Sequence, residues 1–274
     1  MTQVRAKQDE ERPLVEHLRE LMVRLRRIVV SLLVIFAIFM TIGVNWVQMG
    51  GLMIPIPYPT LFNSISVDFV RLFINAELPK GVTLLILNPF DPLFASMEVS
   101  LMLGFFISTP IILREIWAFI SPALYEHEKR LLKWTVIPAM LLFAAGAMFS
   151  YFVVTPEVLD FVRFYSQSLG IQPTLSLRSF VNIVVSFMIA LGISFEMPLV
   201  MVVTTRFGFV SSRTWMRNWR RGVLGSFIIA LFISPGTTGG VMETLIGLTL
   251  SSLYMLGALI SSKVERRKLE ERLA

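Results

Sequence analysis

The chain has no cysteine, so disulfides and thiolate metal sites are excluded. Its two histidines, His17 and His127, are too few to form a histidine-rich metal site unaided. No Gly-x-x-x-x-Gly-Lys-Ser/Thr run occurs, which removes the usual phosphate-cradling nucleotide loop. A paired His-Glu motif and a Ser-His couple are also missing, so no catalytic residue, metal or cofactor is expected. Charge is scarce as well: 16% of the 274 residues, against roughly 25% in an ordinary soluble domain.

In place of charge there is apolar surface. Hydrophobic residues make up 55% of the chain and the mean hydropathy is +0.70, which points to a polytopic helical membrane protein. The net charge of +6 does not suggest nucleic acid, because Lys and Arg cluster at the ends of apolar segments. Six such segments are expected as spans, at 28–47, 93–113, 134–155, 180–205, 222–234 and 245–261. The first reads as an uncleaved membrane helix, since no small-residue cleavage pattern follows it. With six spans both termini share a side, and that side carries 21 of the 25 Lys and Arg residues. The positive-inside rule makes it the cytoplasm. One integral membrane domain, 1–274, is expected, with a cytoplasmic amphipathic lead at 1–27, a periplasmic segment at 49–92 and a cytoplasmic tail at 263–274.

The last two spans are short. At ~1.5 Å per residue, 222–234 covers only ~20 Å of a ~30 Å hydrocarbon core. The periplasmic segment opens with Pro55, Pro57 and Pro59, which favour extended chain. Leu61, Ile65, Phe69 and Leu72 then recur at helical spacing, read either as an amphipathic surface helix or as a small external core. Gly146 with Ser150, and Gly247 with Ser251, are small-xxx-small pairs that allow close helix contacts.

Three places hold chemistry. Residues 13–27 read as a surface helix with Leu14, Leu18, Leu21, Met22 and Leu25 on one stripe and His17, Glu20, Arg24 and Arg27 on another. Taken alone, Glu20 reads as an exposed i,i+4 partner of Arg24. Glu196 is an acid inside the otherwise uncharged fourth span, ten residues before Arg206, so ~15 Å deep. An ionised carboxylate facing lipid there costs at least ~2.5 kcal/mol, so Glu196 should face the protein interior or a wet cavity, with Pro198 bending the helix beside it. Third, residues 117–130, Trp-Ala-Phe-Ile-Ser-Pro-Ala-Leu-Tyr-Glu-His-Glu-Lys-Arg, turn from aromatic to strongly charged between two spans, as a membrane–water boundary requires.

That loop closely resembles the first cytoplasmic loop of TatC, the receptor subunit of the twin-arginine protein translocase. Pro13, Leu14, His17, Leu18, Glu20 and Leu21 resemble the family's amino-terminal pattern. Pro110, Pro122, Tyr151, Phe152, Pro156 and the Ser194-Phe195-Glu196-Met197-Pro198 run also resemble family positions. The resemblance implies an all-α, six-helix concave membrane bundle in a prokaryotic cytoplasmic membrane. It implies that Glu20 and Glu128, with Phe119, His17 and Leu14 nearby, bind a twin-arginine signal peptide. A guanidinium donates two parallel hydrogen bonds to a carboxylate, which lysine cannot copy, so the chemistry is consistent. TatA- and TatB-type single-helix partners, membrane lipid and self-association are implied, with energy from the proton gradient. Glu196 and Glu243 are the candidate intramembrane docking groups, and Pro110, Pro122, Tyr151 and Pro198 the structural ones. Glu243 follows a Gly/Thr-rich turn at 236–240 that departs from the family's Pro-Asp turn, and Glu98 stands where a basic residue is common. The rival reading is a proton-coupled small-solute transporter using Glu196, which requires internal repeats and broken helices that the sequence does not display.

Overall fold

The computed structural model describes residues 14–49, 52–120, 126–234 and 238–273; the side chains at 14–17, 49, 52, 117, 120, 126–134, 268–269 and 271–273 also lie outside the description. Helix α1 (Leu14–Thr41) joins the amphipathic lead and the first span into one rod. No glycine or proline occurs within it, so nothing separates the surface helix expected at 13–27 from the membrane helix. The rod ends before residue 47. Instead, β1 (Ile42–Met49) turns back onto β2 (Leu52–Pro59), antiparallel, in a register running from Ile42↔Pro59 to Met49↔Leu52. Gly43 weakens the helix, while Ile42, Val44, Trp46 and Val47 suit a strand. Pro55, Pro57 and Pro59 fall on alternate residues, so the N–H groups that pairing needs belong to the residues between them. Thr60, next in that series, donates to the Thr41 carbonyl at 2.8 Å.

Helix α2 (Ile65–Glu77) follows, with Leu61 left outside it and Leu72 exposed. Its buried Val70 and Phe73 meet Ala95, Val99 and Met102 of α3 (Asp91–Ile120). Part of the 49–92 segment thus packs an apolar face of α2 against α3. A short parallel pair, β3 (Thr83–Leu85) with β4 (Thr174–Ser176), ties that segment to the loop before the fourth span.

Helix α4 (Glu126–Phe149) passes through a π-helical turn at Ser150–Val154 into α5 (Thr155–Ser168). Pro156 lacks the N–H that would continue the α-helical ladder, which accounts for the wider turn. The fourth span divides into α6 (Leu177–Ser194) and α7 (Met197–Arg206). Helix α8 (Ser212–Arg217) leads to α9 (Trp219–Ile233), and α10 (Val241–Leu273) closes the chain.

Four stretches among the described residues are long and apolar enough to cross a membrane: Asp91–Ile116, Thr135–Ser168, Leu177–Arg206 and Val241–Arg267. The remaining two spans are α1, uncharged only over 28–41, and α9, with 15 residues. The brevity expected of the sixth belongs to its apolar part alone. That part lies inside a 33-residue helix continuing through the charged tail.

Helix α1 packs on α3, α3 on α6 and α6 on α4, while α10 holds α9 and α7. In lipid, such contacts depend on close packing rather than on water exclusion. Gly146 of α4 illustrates it: a Cβ there would come within 2.5 Å of the Leu191 carbonyl of α6, and its pair-mate Ser150 is buried. Gly247 likewise lies against the Phe227 ring of α9.

Candidate functional site

The α1–α3 contact ends in a cluster of charges. Glu20 and Arg24 lie one turn apart on the half-buried face of α1, whereas Leu18, Leu21, Met22 and Leu25 point outward. The described apolar residues thus face the surroundings, and Glu20 and Arg24 face α3. Arg24 donates from Nε and Nη2 to Glu20 Oε1, at 3.1 and 2.5 Å. Its Nη1 donates to Oε2 of Glu115, on α3, at 3.3 Å. The pair anticipated as an exposed helix contact is instead 18% and 21% exposed and reaches a third residue.

Glu115 was not singled out by the sequence. It is 2% exposed and also meets Arg27 at 3.5 Å and Arg114 at 3.2 Å. Those two arginines are 57% and 73% exposed, so each pair is worth no more than ~1 kcal/mol. Arg24 is the partner whose own burial makes the contact count. In the sequence, Glu115 is one charge among several at the end of a span. Its partners on α1 lie 91 residues away for Arg24, so no local spacing marks it. The available signal is an acid next to Arg114 at the edge of an apolar helix.

Phe119, half-buried, follows Glu115 by four residues, ~6 Å along α3, and so lies at the same end of the bundle as Glu20. Glu128 is the third residue of α4, and Leu14 and His17 lie in the first turn of α1. The side chains of these three lie outside the described residues, as do Pro13 and Pro122 entirely.

Glu196 occupies the break between α6 and α7, with Pro198 buried in the first turn beyond it. The helix is interrupted there, as Pro198 leads one to expect, and Pro198 abuts Gly257 of α10. Glu196 is half-buried, and its Oε1 is shut away from solvent without a hydrogen bond among the described residues. Glu243 is different. It is 4% exposed, and its carboxylate accepts from Ser234 Oγ at 2.8 Å and Thr238 Oγ1 at 3.1 Å, closing the α9–α10 turn. Gly239 and Gly240 in that turn have φ of +65° and +93°, which side chains resist.

Among the structural candidates, Pro110 lies within α3 and Tyr151 within the π-helical turn, its ring 5.6 Å from that of Phe73. Glu98 pairs with Arg178 of α6 at 3.5 Å. Glu77, at the end of α2, is pushed above the usual carboxylate range by burial. Beneath α2 an apolar cavity of about 320 Å³, lined by residues such as Phe73, Met102, Phe143 and Met188, presents no polar surface for chemistry. No group of three His, Asp or Glu is arranged to hold a metal among the described residues.

The family model described as Sec-independent protein translocase protein (TatC) matches residues 16–246. A TatC of Cenarchaeum symbiosum is 34% identical over 253 residues, covering 92% of this chain and 96% of that protein. A TatC of Aquifex aeolicus is 31% identical over 260 residues, covering 94% and 98%. One solved structure, described as the crystal structure of the twin arginine translocase receptor TatC, matches with a TM-score of 0.70 at 30% identity. It covers 90% of this chain and 99% of that one.

Proposed function

The chain belongs to the TatC family of Sec-independent protein translocase proteins, and from that premise we propose that it is the subunit that recognises twin-arginine signal peptides. It is a six-helix membrane component of a translocase with partner subunits, and not an enzyme. In the proposed role it binds the signal peptide, gathers TatA- and TatB-type single-helix proteins and copies of itself, and serves export of folded proteins driven by the proton gradient. It does so in the prokaryotic inner membrane with both termini in the cytoplasm. Nucleic acid plays no part.

One observation supports the recognition step above the rest: the site already grips an arginine. Glu20 and Glu115 together hold the Arg24 guanidinium through three charge-assisted bonds. A peptide arginine asks the same of Glu20, with Glu128 as the acid for its neighbour and Phe119 as apolar floor. Glu20→Ala and Glu128→Ala should each weaken crosslinking to a twin-arginine peptide while the protein stays in the membrane. A Lys-Lys peptide should bind the unaltered protein less well, because charge survives but the fork does not. Full-strength binding by both mutants would dismiss the patch. For orientation, reporter fusions after Gly170 should read as outside and those after Ser212 as cytoplasmic.

Glu196 and Glu243 are proposed as polar docking points for a partner helix. Glu196 has the better support, because its Oε1 has no bond among the described residues, whereas Glu243 is engaged by its own turn. The transporter alternative gains a broken helix at Glu196. The match to translocase proteins over nine-tenths of the chain speaks against it.

A further inference from the structure

We propose that Arg24 is a built-in occupant of the Glu20 carboxylate which an incoming signal-peptide arginine must displace, with Glu115 as the positioning residue that receives Arg24 as it leaves. The proposal rests on the reading that Glu20 binds a signal arginine.

The geometry supplies the route. Arg24 divides its donors, Nε and Nη2 on Glu20 and Nη1 on Glu115. A guanidinium carries five N–H donors in a rigid fork. Giving up Glu20 therefore needs a pivot about the Nη1–Glu115 contact rather than a journey through apolar surroundings. The 18%-exposed Arg24 would otherwise be stranded, since a partly buried cation without an acid is unfavourable. Glu115 prevents that. It is held in place, 2% exposed, and its other partners Arg27 and Arg114 are mostly in solvent. Either of them can swing outward to make room for the transferred arginine. Among the described residues the cluster has three guanidinium groups for two carboxylates, so a further one from the peptide is accommodated when one exposed arginine leaves.

The consequence is a threshold. Freeing Glu20 from Arg24 costs the same whichever peptide arrives, so the resident arginine weakens Arg-Arg and Lys-Lys binding alike. An incoming guanidinium then recovers the bonds that Arg24 gave up, whereas a lysine ammonium, a point charge, recovers fewer. Only a ligand that bonds Glu20 well overcomes the threshold.

The experiment measures Kd for synthetic peptides carrying Arg-Arg or Lys-Lys, with the full-length protein in lipid nanodiscs. The proteins are the unaltered chain, Glu20→Gln, Arg24→Gln, Arg24→Lys, Glu115→Gln and the Arg24→Gln/Glu115→Gln pair. Arg24→Gln should tighten Arg-Arg binding by about tenfold, the scale of one charge-assisted bond, and should tighten Lys-Lys binding by a similar factor, leaving their ratio unchanged. Glu115→Gln should weaken Arg-Arg binding severalfold, because Arg24 then has nowhere to go. In the double variant that loss should vanish, an outcome that a merely structural role for Glu115 does not give. Should Arg24→Gln fail to fold, Arg24→Lys, which keeps the charge and loses the fork, should show the same tightening to a smaller degree. If Glu20→Gln weakens binding but the Arg24 variants weaken it too, the exchange is wrong and the Glu20 reading survives. If Glu20→Gln binds as the unaltered protein does, both are overturned.

Discussion

Glu115 and Glu196 are both acids set in apolar helical surroundings, and both have oxygen closed to solvent, yet their company is opposite. Glu115 faces Arg24, Arg27 and Arg114 at the end of α3. Glu196 stands at a helix break in the middle of a span, and its Oε1 meets no donor among the described residues. Each arrangement has a different physical meaning. A buried charge with partners on two helices fixes how those helices meet, and removing it leaves its partners uncompensated. A half-buried acid with no donor to its Oε1 among the described residues gives little to the fold, and the docking proposed above would use it.

Reversing the paired acid should produce the largest effect. Glu115→Lys adds a fourth cation to a closed cluster and should cost several kcal/mol, on the order of 3–5 as for a broken buried pair, read as a large drop in thermal stability in detergent. Stability near that of the unaltered protein would mean the cluster opens to water and the comparison fails. Glu115→Gln keeps shape and hydrogen bonding, and because two of its arginines are exposed its cost should stay near ~1–2 kcal/mol. Gly146→Leu, which removes no charge, should cost at least ~1–3 kcal/mol by forcing α4 from α6. It therefore calibrates what a purely steric lesion looks like in the same melt.

At the other pole, Glu196→Leu should change stability by less than ~1 kcal/mol, since Oε1 has no bond to lose among the described residues, while recovery of a co-expressed TatA- or TatB-type partner should fall sharply. Normal recovery would remove the docking role, and a collapse of stability would make Glu196 a tie within the bundle. Glu196→Gln, which still donates and accepts, should be the mildest of the set in both measurements.

Much of this contrast was legible beforehand, but unevenly. Glu196 stood out because a lone acid in an uncharged run is visible within a single window. So did the break after it, because Pro198 acts locally. The alternate prolines of β2 similarly announced extended chain, though not that 42–47 would leave the first span to pair with them. That pairing depends on a partner strand, which local helix preference does not register. Glu115 passed unnoticed for the same kind of reason. Its neighbours in sequence say only that a span is ending, and its meaning comes from α1. On α1 the described leucines do lie apart from Glu20 and Arg24, yet which side would face the bundle depended on α3 offering a buried acid.

By itself, the sequence determined the membrane class, the number and rough position of the spans, and the brevity of the apolar stretches in the last two. These follow from hydrophobicity and charge summed over windows, which lipid thickness reads directly. The tertiary structure alone decided which helices touch, that Glu20 and Arg24 of α1 turn inward, and that one guanidinium bridges Glu20 and Glu115. Such contacts join residues far apart in the chain, and their energies depend on distances of a few ångströms and on burial, neither of which a linear pattern contains.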